Sequence, residues 1–186
     1  MTGKAKIVLL DRDGVLNKDR TDHVKTPDEL IMIGGAAEAV ARLTAAGVRV
    51  VVITNQSAVG RGLVDEETLG AIHRKLLSAV ARAGGEIDQI IWCPDPPWAA
   101  TERRKPAPGM LREALDAHDC AAEDAPFIGD QLRDLEAAAA IGCPRILVRT
   151  GKGADTLAAG LPAHVQPVVV KDDLADAVSA LMKARQ

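Results

Sequence analysis

The sequence has no tyrosine, one phenylalanine and two tryptophans, so aromatic residues make up only 2% of its 186 residues. A surface that stacks bases or sugars on aromatic rings cannot be assembled from so few. Cysteine is scarce as well. Cys93, Cys120 and Cys143 are odd in number and widely spaced, which speaks against a disulfide framework and for a reducing compartment, the cytoplasm. There is no excess of either charge: the net charge is −3 and the isoelectric point about 5.8, leaving no basic face for nucleic acid. No apolar run reaches the ~20 residues that span a bilayer, and the opening MTGKAKIVLL is too short for a secretory leader. A soluble monomer with neither nucleic-acid nor membrane partners is expected.

What is present fits one domain, residues 1–186, with enough length to bury a core. The hydrophobic fraction is 47% and the charged fraction 26%, ordinary for a globular protein. Short apolar runs predict strands at Lys6–Leu10, Val48–Thr54, Gln89–Trp92, Pro126–Ile128, Arg145–Val148 and Val165–Val170. Helical patterns fall between them at Gly35–Ala46, Asp65–Ala83, Gly109–His118, Gln131–Ile141 and Asp172–Ala184. Asp65 reads as an N-cap, with Glu66 and Glu67 in the first turn. Strands apolar on both faces that alternate with helices predict a doubly wound α/β fold, a parallel sheet between two helical layers.

Such folds carry their sites in the loops at the carboxyl ends of the strands. Here those loops read DRDGVLN, TNQSAVGRG, CPDPPWAATERRKPAPG, GDQLRD and RTGKGADT. The first places Asp11 and Asp13 two residues apart at the end of a buried strand, where like charges repel unless a cation or a reaction uses them. Asp130 and Asp134 would join them at the same sheet edge. Carboxylate, carbonyl and water ligands suit Mg²⁺. With the ammonium of Lys105 and the hydroxyl of Thr54 added, the set suits phosphoryl transfer, in which charge stabilisation dominates. One Asp can attack phosphorus directly. The other can protonate the leaving oxygen and then deprotonate the attacking water.

DxDG (Asp11–Gly14), the strand-end Thr54, Lys105 before a proline and GDxxxD (Gly129–Asp134) resemble, in register, the four motifs of the haloacid dehalogenase superfamily. An acid at the second position of the first motif implies a phosphatase or phosphomutase. About forty residues separate Asp13 from Thr54 and about fifty separate Thr54 from Lys105, which leaves no room for an inserted cap domain. An uncapped site favours hydrolysis over mutase chemistry, which needs water excluded. DRDGVLN, VKTPDE, TNQSAVGRG, RKPAPGM and LVRTGKG are similar to the branch that hydrolyses a heptose bisphosphate, with histidinol-phosphate phosphatases as relatives.

That resemblance implies removal of the 7-phosphate, with Asp11 as nucleophile and Asp13 as proton donor. It implies Mg²⁺ on Asp11, the Asp13 main-chain carbonyl and Asp130, and a phosphoryl group steadied by Thr54 and Lys105. Arg104 and the stretches Asp19, Arg20, Thr21, Asp22 and Thr54, Asn55, Gln56, Ser57 would meet the substrate. The alternatives are another small-metabolite phosphatase or a non-catalytic phosphosugar binder, and a binder has no need of Asp13.

Two positions depart from the family pattern. Relatives usually hold zinc on Cys-x-His…Cys-x-Cys, but here Cys93 is followed by Asp95, Thr101 and Arg103, which cannot complete a four-ligand site, so no zinc is expected. The loop must then be held by its prolines, Trp92 and Trp98, or be mobile. Gln131 replaces a common lysine and removes a positive charge beside the phosphate. Asp134 reads either as a ligand or as the group that orients Lys105. The cysteines read as small buried hydrophobes and the histidines as structural or exposed, with His23 the one placed to touch substrate. Arg61 and Lys152 read either as phosphate contacts or as loop residues.

Overall fold

The computed structural model describes residues 6–184, so the opening stretch read above for a leader begins, at residues 1–5, outside the described residues. Six strands form one parallel sheet: β1 (Ile7–Leu10), β2 (Arg49–Asn55), β3 (Gln89–Cys93), β4 (Phe127–Gly129), β5 (Arg145–Val148) and β6 (Val168–Lys171). Their spatial order is β3-β2-β1-β4-β5-β6, with parallel pairing throughout.

Alternation along β1 and β2 explains the two layers. Val8, Leu10, Val50 and Val52 point to one face, where they meet α1 (Ala36–Ala45), α3 (Glu66–Arg82) and α7 (Leu174–Ala184). Ile7, Leu9, Val51 and Ile53 point to the other, against α4 (Gly109–Ala117) and α5 (Leu132–Ala139). Each such side chain contributes roughly 1.5–3 kcal/mol by leaving water. The middles of these strands are therefore apolar, and Asp11, Thr54 and Asp130 sit at the carboxyl edge.

Two short helices escaped the sequence pattern: α2 (Ser57–Gly60) after β2 and α6 (Gly153–Ala158) after β5. At one or two turns they are too short to display a helical period. The last strand also starts later than the apolar run suggests. Ala163–Val165 forms a 3-10 turn that drops Val165 against Leu135 and Leu147, and Pro167 separates it from β6. Among the described residues, β1 and β2 are joined only by a 3-10 turn at Pro27–Glu29 and α1, and β2 and β3 only by α2 and α3.

The N-terminus of α3 is capped as its sequence indicates: the Asp65 carboxylate accepts a hydrogen bond from the Thr68 N–H at 2.7 Å. Asp65→Ala is expected to cost about 1 kcal/mol of stability. Urea unfolding measures it, and an unchanged midpoint would mean that the cap contributes nothing.

Candidate active site

The strand order reverses direction between β1 and β4, so their loops diverge and leave a crevice at the carboxyl edge. Asp11 follows β1 and Asp130 follows β4. Into the same crevice comes Lys105, fully buried, from the long segment after β3. Three oxygens surround its ammonium: the Ile53 carbonyl accepts a hydrogen bond at 2.8 Å, and Asp134 Oδ1 at 2.8 Å and Asp11 Oδ1 at 3.1 Å are its ion-pair partners. Burial alone would push the Lys105 pKa down, but Asp11 and Asp134 outweigh it and hold it above its usual value. Lys105 is a permanent cation here.

Asp134 is thereby accounted for. Its other oxygen accepts from the Gln131 N–H at 3.0 Å, closing a capping box at the start of α5. Asp134 Oδ1 beside the Lys105 ammonium suits the role of orienting Lys105, and the same carboxylate belongs to the buried acidic cluster.

Asp11, Asp130 and Asp134 offer carboxylate oxygens within 4.8 Å of one another, all buried. Burial pushes the Asp11 carboxyl up to about 6 despite Lys105, and burial with Asp11 and Asp134 nearby pushes Asp130 to about 8. Asp130 Oδ2 accepts from the Lys152 N–H at 2.8 Å, whereas its Oδ1 is buried with no hydrogen-bond partner. Asp11 Oδ1 accepts from the Arg12 N–H at 2.7 Å. An orphaned carboxylate oxygen beside a second buried carboxylate is the donor set that a hard divalent cation fits.

Backbone geometry keeps this corner tight. Gly14 has φ +83° and Gly151 φ +58°, and a Cβ on either would lie 2.1 or 2.2 Å from Asp130 Oδ2. Thr150 Oγ1 donates to the Gly14 carbonyl at 2.6 Å, and Thr156 Oγ1 to that of Asp130 at 3.0 Å. The segment after β5 is thus the wall that holds Asp130 in place.

Asp13 sits in a different environment. Burial would raise its pKa, but the Arg12 guanidinium and hydrogen bonds from Asn17, Arg12 and Gln56 prevail and hold it below the usual carboxylate value. Arg12 Nη2 lies 2.8 Å from Asp13 Oδ1, Asn17 Nδ2 2.9 Å from the same oxygen, and Gln56 Nε2 2.9 Å from Oδ2. Gln56 Nε2 also donates to Thr54 Oγ1 at 2.8 Å. Sequence reasoning missed Arg12. It is buried, and its Nη1 lies 3.4 Å from Nε2 of the equally buried His73, which burial and Arg12 push down to about 4 and so keep neutral. An arginine between two acids is indistinguishable by sequence from a solvated charge.

A cavity of about 210 Å³ opens above these groups, and its walls include Asp11, Asp13, Thr54, Asp19, Arg20, Thr21, Asn55, Ser57 and Arg104. Those expected substrate residues are brought together. Two others are turned away: Gln56 faces inward onto Asp13 and Thr54, and Asp22 is exposed, paired with Arg20 at 3.0 Å and Lys25 at 2.7 Å. Asn55 exchanges hydrogen bonds with the Lys105 backbone at 2.9 and 3.1 Å, tying β2 to the lysine loop. His23 lines the cavity, as do Arg61, Lys152 and Arg133, the last unnoticed in the sequence.

The segment from Cys93 to Lys105 is fastened by its own side chains. Asp95 Oδ2 accepts from the Thr101 N–H at 2.8 Å and from Thr101 Oγ1 at 2.6 Å. Arg104 Nη1 donates to the Asp95 carbonyl, and Arg103 bonds the Trp92 carbonyl at 3.3 Å and pairs with Glu113 at 3.1 Å. Trp98, 72% exposed, packs under the Arg61 guanidinium at 4.7 Å rather than into the core. Of the cysteines, Cys93 and Cys143 are buried as expected, but Cys120 is only partly so.

A HAD-hydrolase-like family model matches residues 102–177. The chain is 46% identical over 179 residues to the D-glycero-beta-D-manno-heptose-1,7-bisphosphate 7-phosphatase of Bordetella bronchiseptica, covering 96% of this chain and 98% of that one. It is 45% identical over 177 residues to the phosphatase of the same name from Pseudomonas aeruginosa, covering 95% and 98%. Among solved structures, the D,D-heptose 1,7-bisphosphate phosphatase from B. bronchiseptica complexed with magnesium and phosphate matches with a TM-score of 0.92 and 46% identity, over 96% and 98% of the two chains.

The raised carboxyls of Asp11 and Asp130 bind protons more tightly folded than unfolded. Their contribution to stability is complete below the unfolded value of 3.8 and is lost as pH rises through about 6 and about 8. Mg²⁺ binds the ionised forms, so the rise in melting temperature on adding Mg²⁺ should grow from about pH 5 to about pH 8.5. Thermal melts with and without Mg²⁺ across that range measure it, and a pH-independent rise would place the cation elsewhere.

Proposed function

The chain belongs to the haloacid dehalogenase-like hydrolases and is a phosphatase, and from that premise we propose that it removes the 7-phosphate of D-glycero-D-manno-heptose 1,7-bisphosphate through an aspartyl-phosphate on Asp11, with Mg²⁺ as its cofactor. One observation carries the chemistry. Asp11 Oδ1 is fixed by the Arg12 N–H and Lys105, while Asp11 Oδ2 has no hydrogen bond among the described residues and Asp11 lines the cavity. A carboxylate anchored by one oxygen with the other facing substrate is set up for nucleophilic attack.

The steps follow from the neighbours. Asp11 Oδ2 attacks phosphorus, the bond from phosphorus to the C7 oxygen breaks, and Asp13 gives that oxygen its proton. Asp13 then takes a proton from a water, whose oxygen attacks phosphorus and releases Asp11 and inorganic phosphate. Arg12 holds Asp13 ionised in the free site, and an arriving phosphate dianion, a like charge, pushes its pKa back up so that it can carry the proton. Lys105 keeps Asp11 ionised and offsets charge as the phosphoryl group transfers. Asp11, Asp130 and the Asp13 main-chain carbonyl would hold Mg²⁺, which neutralises phosphoryl oxygens when bound. The substrate identity is supported by the near full-length identity to proteins named for that reaction.

The same reading has one domain, 1–186, acting as an uncapped monomer in the cytoplasm, consistent with three free cysteines. It also has no structural zinc. Burial pushes the Cys93 thiol up, away from the thiolate that zinc takes, and Asp95 and Thr101 are already bound to each other.

Asp11→Asn should abolish phosphate release while leaving the melting temperature within the wild-type range. On a substrate panel the wild type should favour the heptose bisphosphate over histidinol phosphate by about a hundredfold in kcat/KM, ~2.7 kcal/mol of transition-state discrimination. Turnover by the Asn variant would remove the nucleophile, and a flat panel would remove the substrate. A zinc-selective chelator, with Mg²⁺ restored, should change neither activity nor melting temperature, and elemental analysis should find zinc well below one ion per chain. A drop in melting temperature on chelation would reinstate the metal.

A further inference from the structure

The cavity gathers more positive charge than its acids neutralise, and the surplus is localised. Lys152 pairs with Asp19 at 3.3 Å and Arg20 with Asp22 at 3.0 Å, so these two are already matched. Arg61 rests on Trp98. Arg104 holds only a main-chain carbonyl, that of Asp95. Arg133, in the first turn of α5, has no ion pair or hydrogen bond among the described residues, although its Nε is buried. A desolvated guanidinium nitrogen without an acceptor is costly, and two unpaired guanidinium groups on one cavity cost more, unless an anion sits between them.

We propose that Arg133, together with Arg104, grips the phosphoryl group of the substrate that is not transferred. The proposal rests on the bisphosphate reading above. The reacting phosphoryl belongs over Asp11, Thr54 and Lys105. Neither Arg104 nor Arg133 lies within ion-pair distance of Asp11, Asp13 or Asp130 among the described residues, although the charge of Arg133 is felt at Asp11 and Lys105. Both line the same cavity of about 210 Å³ as Asp11 and Thr54, so an anion held between them shares that cavity with the reacting centre. Guanidinium groups meet phosphate oxygens bidentately, so two of them can satisfy one terminal phosphate. The neighbouring Gln131, closest in sequence to Asp130, is uncharged and is not among the residues that line this cavity. The positive charge missing at 131 is supplied from 133, two residues along the same helix.

Arg133→Met keeps the aliphatic stem and removes the charge. Steady-state kinetics on heptose 1,7-bisphosphate and on heptose 7-phosphate, which lacks the distal group, separate the roles. Loss of charge-assisted hydrogen bonds should lower kcat/KM for the bisphosphate about thirtyfold, mostly through KM, and leave the monophosphate within about threefold. Arg133→Lys should recover part of the loss. Equal losses on both substrates, or no loss on either, overturn the proposal. If the wild type hydrolyses neither heptose ester, the substrate assignment above fails. Inhibition of p-nitrophenyl phosphate hydrolysis by fructose 1,6-bisphosphate and by fructose 6-phosphate then tests the grip. Tighter inhibition by the bisphosphate that is lost in Arg133→Met upholds it, and equal inhibition in the wild type ends it.

Discussion

Lys105 brings a full positive charge to a place shielded from solvent, and the rest of the site is arranged around that charge. Asp11 and Asp134 each face it as ion-pair partners, and the Ile53 carbonyl accepts a hydrogen bond from it. Removing one member of a buried ion pair costs about 3–5 kcal/mol, because it strands a charge in a poor solvent. The constraint runs in both directions. Without the lysine, Asp11, Asp130 and Asp134 would be three carboxylates crowded within 4.8 Å. Without the carboxylates, burial would drive the lysine to lose its proton.

The parallel sheet makes that arrangement possible. The middle residues of its interior strands go to the two apolar layers, and the buried polar residues of the site gather at the carboxyl edge. The reversal of strand order between β1 and β4 then separates the loops just enough for Asp11 and Asp130 to face each other. Gly14 and Gly151 close the gap behind them, since any side chain there would occupy the volume of the Asp130 carboxylate.

The two acids of the DxD pair are two residues apart and live in opposite electrostatic environments. Asp11 is raised by burial among other carboxylates, whereas Asp13 is lowered by Arg12, Asn17 and Gln56. Splitting the pKa values of neighbouring carboxyls is how a protein assigns them different roles. The loop that carries Lys105 shows a parallel economy. Asp95 and Thr101 fasten it through two hydrogen bonds, and the Asp95 carbonyl presents Arg104 to the cavity.

By itself the sequence determined the α/β architecture, because strands apolar on both faces and capped amphipathic helices leave periodic traces. It also determined which loops meet: Asp11, Asp13, Thr54, Lys105 and Asp130 all lie at or beyond the carboxyl ends of strands of one parallel sheet, so their convergence is a matter of topology. Tertiary structure alone decided where individual loop side chains point. It turned Gln56 inward and Asp22 outward, gave Asp134 to Lys105, buried Arg12 against Asp13 and His73, and aimed Arg133 into the cavity. Periodicity encodes the faces of regular elements, but a loop residue takes its direction from contacts with segments distant in the chain. No local pattern carries that information.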